Sequence, residues 1–161
     1  MKVKVTYEQL ILFRSNAESY LRMHPGKFSP FLYSLTKMIQ RTSEDFAKYG
    51  EEVKELNQNY CERDKEGFFK LDNIGQPNES YKITAENTKK RDKDVRDLQK
   101  REIEIEPHIS KEAQNGIYPE DIGFAAWQYF APFVLPEIDE ELELKLYELQ
   151  AERDNHNLVE K

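Results

Sequence analysis

The stretch from Ser29 to Asp64, SPFLYSLTKMIQRTSEDFAKYGEEVKELNQNYCERD, predicts a single long α-helix. Ser29 and Pro30 are typical of a helix start, because serine caps the first turn and proline lacks an N–H that would stay unpaired there. Apolar or partly apolar side chains then recur every three or four residues, which places them on one helix face. These residues are Phe31, Leu35, Met38, Thr42, Phe46, Tyr49, Val53, Leu56 and Tyr60. A helix of this length, about 50 Å, needs partners along its whole face.

The residues before this stretch predict a strand and a first helix. Val3 and Val5 alternate with lysines, a pattern typical of a short, half-buried strand. Thr6 with Gln9 matches a capping box, and apolar spacing continues from there to about Met23. His24-Pro25-Gly26 then ends the helix. We expect this helix to fold back against the beginning of the long one.

The residues after the long stretch predict a small β element and a further helix. Two aromatic-bearing runs, 68–72 and 81–83, are separated by turn-forming residues and predict a β-hairpin. Thr84 is typical of an N-cap, and the following helix runs to about Arg101. The alternating Glu102–Ile109 segment predicts an edge strand, which we expect to pair with the strand at 3–5. Ser110 then caps a short turn that stops at residues 115–116.

These elements predict a mainly α fold, an elongated antiparallel helical hairpin with a small β element and a C-terminal helical arm. Residues 1–115 form the hairpin with its β element. Residues 116–161 form an acidic, aromatic-rich arm, with a helix start at 118–121 and a polar tail from about Asp154 to Lys161. The high charged fraction, 34% against 38% hydrophobic residues, predicts narrow apolar faces and much solvated helix surface.

The charge distribution argues against several classes of partner. The net charge is −7, and residues 116–161 alone carry eleven acidic and three basic side chains. Nucleic acids and anionic membranes attract basic surfaces, so neither is an expected partner, whereas a basic protein is. Cys61 is the only cysteine, which excludes an intramolecular disulfide. The longest apolar run, 123–135, is too short to span a membrane, so we expect a soluble protein that is made or assembled in a reducing compartment.

The C-terminal third contains the residues that we predict to form an interface. It carries more aromatic side chains than one narrow helix face can bury. A leucine stripe follows, formed by Leu142, Leu146 and Leu149, and Leu144 and Tyr147 point away from it. Aromatic residues commonly dominate the energy of protein interfaces. The predicted interface residues are Phe124, Trp127, Tyr129, Phe130, Phe133, Leu142, Leu146 and Leu149. The alternative is that the same residues cover the helical hairpin internally.

Motifs for catalysis, metals or cofactors are absent from the sequence. The three histidines lie in separate segments, and no glycine-rich phosphate loop or nucleophile motif occurs. Glu51-Glu52-x-x-Glu55 resembles the first half of the magnesium-binding signature of all-α nucleotide pyrophosphohydrolases, whose carboxylates share one helix face. The second half, ExxD, is missing. Three residues after Glu79 and after Glu86, where the motif needs an aspartate, the chain has Lys82 and Lys89. We therefore predict no catalytic residue, metal ligand or cofactor site, and interpret the motif as a solvated helix face.

Residues 30–109 resemble uncharacterised small helical-hairpin proteins encoded by tailed bacteriophages. The shared features are Asn-x-x-Tyr-Cys-Glu-Arg-Asp-Lys-Glu-Gly (57–67), Tyr-Lys-Ile-Thr-Ala-Glu-Asn (81–87) and the alternating strand at 102–107. The resemblance covers about half of the chain, does not include the acidic C-terminal third, and implies phage origin with a role in the virion or its assembly. It implies no activity.

Together these observations predict a non-enzymatic phage structural or virion-assembly protein that acts through protein–protein interaction. The expected partners are other phage structural proteins, with a homo-oligomer left open, and the expected location is the virion or the host cytoplasm. The alternative is an intracellular phage regulator that binds a host protein through the acidic C-terminal arm. A magnesium-dependent hydrolase is the third hypothesis, which Glu52→Gln would test.

Overall fold

The computed structural model describes residues 1–159, apart from the side chains of Asn157 and Val159, and shows a mainly α protein with small β elements. The helices in the described residues are α1 (Tyr7–Met23), α2 (Pro30–Arg41), α3 (Ser43–Tyr60), α4 (Ala85–Gln99), α5 (Lys111–Gln114), α6 (Phe124–Phe130) and α7 (Glu140–Val159). The strands are β1 (Val3–Thr6), β2 (Leu71–Asp72), β3 (Ser80–Tyr81) and β4 (Glu102–Ile105). Strand β1 pairs with β4, as predicted, and β2 pairs antiparallel with β3. The predicted mainly α fold with a small β element is confirmed.

The chain forms two compact units, each made from separate segments. Unit 1 contains Met1–Val3, Leu12–Gln40 and the chain from Ile105 onward. Unit 2 contains Lys4–Ile11 and Arg41–Glu104. These units divide the chain differently from the predicted boundary between residues 115 and 116, because the C-terminal third packs with α2 and most of α1.

The predicted single helix from Ser29 to Asp64 is wrong, because it is two helices that meet at Thr42. Thr42 is buried and has φ −99° and ψ 2°, outside the regular helical range. Its position before Glu44 and Asp45 in the first turn of α3 is typical of a helix N-terminus. Apolar spacing did not reveal the break, since Thr42 is itself one of the inward positions of the pattern.

In unit 1, α1 and α2 pack as an antiparallel pair. Arg14, early in its helix, donates from Nη1 to the carbonyl oxygen of Ile39, late in the next, at 2.7 Å. At the other end, the ring of Tyr20 meets Phe31 edge to face, with centroids 5.2 Å apart. The prediction that the first helix folds back on the beginning of the long stretch is confirmed.

In unit 2, α3 and α4 form a second antiparallel pair with mostly polar contacts. Gln99 Nε2 donates to the hydroxyl of Tyr49 at 3.1 Å, and Arg91 Nη1 donates to Asn57 Oδ1 at 3.0 Å. The helical hairpin of the sequence prediction is therefore present as two shorter helix pairs, one in each unit.

The C-terminal third differs from its prediction at both ends. Residues 118–121 do not begin a helix, and α6 starts only at Phe124, after Gly123 as its N-cap. The predicted polar tail is helical as far as Val159, because no proline or glycine interrupts α7. Residues 160–161 of that tail lie outside the described chain.

Three predicted helix caps are confirmed. The Thr6–Gln9 capping box is reciprocal, with Gln9 Oε1 accepting from the Thr6 amide at 2.8 Å and Thr6 Oγ1 accepting from the Gln9 amide at 3.1 Å. Thr84 Oγ1 accepts from the Asn87 amide at 3.2 Å. Ser110 Oγ accepts from the Ala113 amide, also at 3.2 Å. Short local patterns thus fixed where these helices begin.

Replacing Thr84 with alanine should lower the free energy of unfolding by about 1 kcal/mol, because the Asn87 amide loses its acceptor at the start of α4. Urea denaturation followed by far-UV circular dichroism measures the change. The matched control is Thr84→Ser, which keeps a hydroxyl at the cap and should stay close to the wild type. An equal loss in both variants would contradict the capping explanation.

Candidate interaction surfaces

Four of the eight predicted interface residues are buried in the core of unit 1. Trp127, Phe130, Phe133 and Leu146 are buried, and Trp127 is only 1% exposed. Phe124, Tyr129 and Leu142 are half-buried, and Leu149 is exposed. The four buried residues therefore have the internal role that the sequence left open as the alternative.

The buried aromatic side chains hold the C-terminal third against α1 and α2. Phe133 stacks on Phe13 with ring centroids 4.3 Å apart, and Phe130 meets Phe31 edge to face at 5.6 Å. Trp127 donates from Nε1 to the carbonyl oxygen of Pro136 at 2.8 Å, which satisfies its one polar group. This cluster is the main core of unit 1.

Helix α7 has two apolar sides, and only one of them faces the protein. Leu146 is buried on the inner side, and Arg153, two turns later, donates to the Glu120 carbonyl oxygen. On the other side Leu144 is 64% exposed and Tyr147 is 68% exposed. The prediction that Leu144 and Tyr147 point away from the leucine stripe is confirmed.

A cavity of about 500 Å³ lies between the inner side of α7 and the loop before α6. Apolar side chains, among them Ile122 and Leu149, line it, and Glu152 and His156 are among the polar side chains of its wall. This volume is within the range of small-molecule sites. Nothing in its lining, however, selects one class of ligand.

In unit 2, three backbone segments meet at the end of α3. The Glu62 amide donates to the Lys82 carbonyl, the Lys82 amide to the Lys70 carbonyl, and the Lys70 amide to the Glu62 carbonyl, each at 2.9 Å. Cys61 is buried beside this junction, with Sγ 3.2 Å from the carbonyl oxygens of both Glu62 and Lys70. The Cys61 side chain is therefore part of the packing at this junction.

The β2–β3 hairpin beyond this junction exposes apolar side chains. Phe68 is 67% exposed, and Ile74 at the hairpin turn is also exposed. A groove of about 700 Å³ runs beside them, lined by Phe69 and Tyr81 on the hairpin side and Arg91 on the α4 side. This groove is a second exposed surface, in unit 2.

An acidic groove between α3 and α4 contains the carboxylates that a hydrolase would need. Glu52 and Glu55 line it from α3, and Asp94 and Asp97 line it from α4. These two aspartates do not match the ExxD motif and so were not predicted as metal ligands. Their DxxD spacing nevertheless places them on one helix face.

Two of these four carboxylates already have protein partners. Arg101 Nη1 donates to both oxygens of Glu52, at 3.0 and 2.8 Å, and the Tyr60 hydroxyl donates to Asp94. Among residues 1–159, no group of three or more His, Cys, Asp or Glu side chains is placed to hold a metal ion. The geometry thus fits an ion-paired helix interface better than a magnesium centre.

A serine–histidine contact between Ser34 and His108 is internal. Ser34 Oγ lies 2.8 Å from His108 Nδ1, but Ser34 is buried. A serine nucleophile has to reach its substrate, which this position prevents. The contact instead joins α2 to the segment after β4.

A polar cluster joins the end of α1 to the loop before α6. The Tyr20 hydroxyl donates to Asp121 Oδ1 at 2.7 Å, and His24 Nε2 lies 3.0 Å from Asp121 Oδ2. Burial, with the hydrogen bond and negative charge of Asp121, raises the pKa of Tyr20 above its ordinary value. The ionised phenolate is therefore disfavoured in the folded protein.

Unit 1 should lose stability as the pH rises above about 10, where tyrosine ionises in an unfolded chain. Because the folded pKa of Tyr20 is the higher one, its contribution is fully present below that pH and is lost as the pH rises toward the folded value. Urea denaturation at several pH values, followed by fluorescence of the single tryptophan Trp127, measures this loss. Tyr20→Phe should be less stable near neutral pH and should show a smaller loss in alkali. An unchanged alkaline slope would contradict the assignment.

Comparison of the chain with known proteins gave no match to a family model, a curated protein or a solved structure. Among the described helices, none combines the length and the apolar character that a membrane span requires. The exposed side of α7 and the hairpin groove both present apolar side chains to solvent.

Proposed function

We propose that this chain is a non-enzymatic phage protein that acts in the virion, or in its assembly, through contacts with other proteins. The observation that carries the proposal is the exposed apolar side of α7, with Leu144 and Tyr147 each more than half exposed. Exposed contiguous apolar surface on a folded domain is typical of interaction sites. The apolar hairpin groove of unit 2 supports the same class of function.

The phage assignment rests on the resemblance of residues 30–109 to small phage proteins. The tight junction around Cys61 and the cap at Thr84 give structural reasons for the two shared sequence patterns. Because both patterns support the fold, the resemblance points to a shared scaffold and carries no activity. The acidic C-terminal third lies outside the resemblance and carries the exposed side of α7.

Mass spectrometry of purified phage particles, with peptide counts for this chain, tests the proposal. A stoichiometric amount in particles is expected for a structural component. If the chain is absent from particles but co-purifies with capsid or tail intermediates, it acts in assembly. Absence from both would overturn the proposal and leave a function in the host cytoplasm.

The acidic charge of α7 favours a second candidate, a regulator that binds a host protein during infection. The helix carries six acidic side chains against two basic ones, Lys145 and Arg153. Such a complex would weaken markedly as salt rises, whereas a mainly apolar structural interface would not. The chain is purified from infected cells at low and at high salt. Recovery of a host protein with it at low salt only would favour the regulator.

The non-enzymatic assignment has its own test. Hydrolysis of nucleoside triphosphates with and without Mg²⁺ is measured for the wild type and for Glu52→Gln. We expect no magnesium-dependent turnover in either protein, since Arg101 already binds Glu52. Turnover in the wild type that Glu52→Gln abolishes would replace the proposal with the hydrolase hypothesis.

A further inference from the structure

The outer side of α7 carries four apolar side chains at helical spacing. Leu144, Tyr147, Ala151 and Leu158 follow one another at intervals of three, four and seven residues. These intervals place all four on one helix face, as in the a and d positions of a coiled coil. All four are exposed, and Leu158 is 72% exposed. We call these four residues the outer seam.

The outer seam is held in a fixed direction by contacts on the other sides of the helix. Leu146 is buried on the inner side, and Tyr147 leans on Phe124, with ring centroids 5.7 Å apart. Arg153 donates to the Glu120 carbonyl oxygen from the last third of the helix. The seam is therefore presented by a docked helix, which reduces the entropy lost on binding.

Carboxylates flank the outer seam on both sides. Glu141 and Glu148 lie along one side of the seam, and Glu143 lies along the other. These three occupy the places that charged residues take beside a coiled-coil seam, where they select the partner by the sign of its charge. Glu140 and Asp154 lie in line with the seam itself, and all five carboxylates are exposed.

We propose that the outer seam binds an amphipathic helix of another protein, one with an apolar stripe flanked by Lys and Arg. Two copies of α7 would bring the carboxylates beside and within this seam together, so like charges disfavour self-pairing through this face. Nucleic acids and anionic membranes are repelled by the same charge. The inference rests on the proposed function and names the chemistry of the partner.

The length of the seam sets the size of the partner helix. From Leu144 to Leu158 the helix rises about 21 Å, at 1.5 Å per residue. A partner helix of about 15–20 residues covers that length at the usual interaxial distance of about 8–10 Å. The expected contact is thus short, with affinity that depends on both the seam and the flanking charges.

Two synthetic peptides probe the seam directly. Both are labelled helices of about 20 residues with leucine at every a and d position, one flanked by lysine and the other by glutamate. Fluorescence anisotropy with the full chain measures binding. The lysine-flanked peptide should bind at least tenfold more tightly than the glutamate-flanked one, and raising the salt should weaken it severalfold.

Matched variants test whether the peptide lies on the outer seam. Leu144→Ser with Tyr147→Ser should weaken lysine-peptide binding at least tenfold. The control, Phe28→Ser, removes an aromatic side chain that is 85% exposed elsewhere in unit 1 and should leave binding unchanged. Glu141→Lys with Glu148→Lys keeps the seam and should invert the preference between the two peptides. If the double serine variant loses its far-UV circular dichroism signal, it is unfolded and its weak binding is uninformative. The charge variant then tests the inference by itself.

Three results would overturn the inference: no binding of the lysine peptide below a Kd of about 1 mM, equal binding of both peptides, or binding that neither double variant changes. Failure of the proposed function is a different result, because it is read from particles and assembly intermediates. A chain found in particles that fails to bind the peptide keeps its structural role and loses only the α7 partner.

Discussion

Trp127→Ala is expected to destabilise unit 1 by about 3–5 kcal/mol, the usual cost of removing a buried tryptophan from a core. Trp127 is 1% exposed, lies edge to face on Tyr118 at 4.9 Å, and donates to the Pro136 carbonyl oxygen at 2.8 Å. Alanine leaves a cavity beneath α6 and an acceptor without its donor. Small domains are stable by about 5–15 kcal/mol, so this variant should be largely unfolded at moderate urea concentrations.

Far-UV circular dichroism is the measurement for this variant, since the change removes the only tryptophan. The control is Leu144→Ala on the exposed side of α7, which should stay within about 0.5 kcal/mol of the wild type. If Trp127→Ala kept full stability and lost only partner binding, the burial assignment would be wrong and the residue would belong to an interface.

Phe13→Ala should lower the free energy of unfolding by a similar amount, about 3–5 kcal/mol. Phe13 lies more than a hundred residues before its ring partners Phe130 and Phe133 in the chain. Phe13 is fully buried, stacks on Phe133 at 4.3 Å and meets Phe130 edge to face at 6.5 Å. Loss of the ring removes the contact through which α1 holds the segment after α6. Both ends of that contact belong to unit 1.

Urea denaturation followed by Trp127 fluorescence measures this effect and reports on unit 1 specifically. Leu12→Ala is the neighbouring control, because Leu12 is exposed on the same helix. A shift to longer emission wavelengths in Phe13→Ala without urea would indicate that water reaches Trp127. Equal stability of the Phe13 and Leu12 variants would contradict the packing described for α1.

Local signals predicted the starts of α1, α4 and α5 and the two strand pairs, but they placed a helix start at 118–121 that the structure does not contain. The capping box at Thr6, the caps at Thr84 and Ser110, and the β1–β4 pairing depend on a few neighbouring residues or on simple alternation. The spacing of apolar residues predicts one continuous helix through Thr42, although Thr42 followed by Glu44 and Asp45 is typical of a helix N-terminus. Where two signals conflict, the periodicity of a face does not decide whether the helix is continuous.

The candidate site was predicted only in part, for a different reason. Periodicity identifies an apolar face but not what covers it, so Trp127 and Phe130 could be assigned equally to a core or to an interface. The two-sided character of α7 was visible in the positions of Leu144 and Tyr147, and both are exposed. Asp94 and Asp97 were missed, since the facing of α3 and α4 across a long intervening segment is set by tertiary packing.

The division of the chain between the two units has a consequence for synthesis on the ribosome. Unit 2 has all of its segments once residue 104 has been made, whereas unit 1 lacks Trp127, Phe130 and Phe133 until much later. Residues 12–40 of the nascent chain, which include Phe13 and Phe31, therefore keep their apolar faces exposed until residues 127–133 have been made. The order of translation places unit 2 first, and chaperones have their main opportunity to bind at α1 and α2.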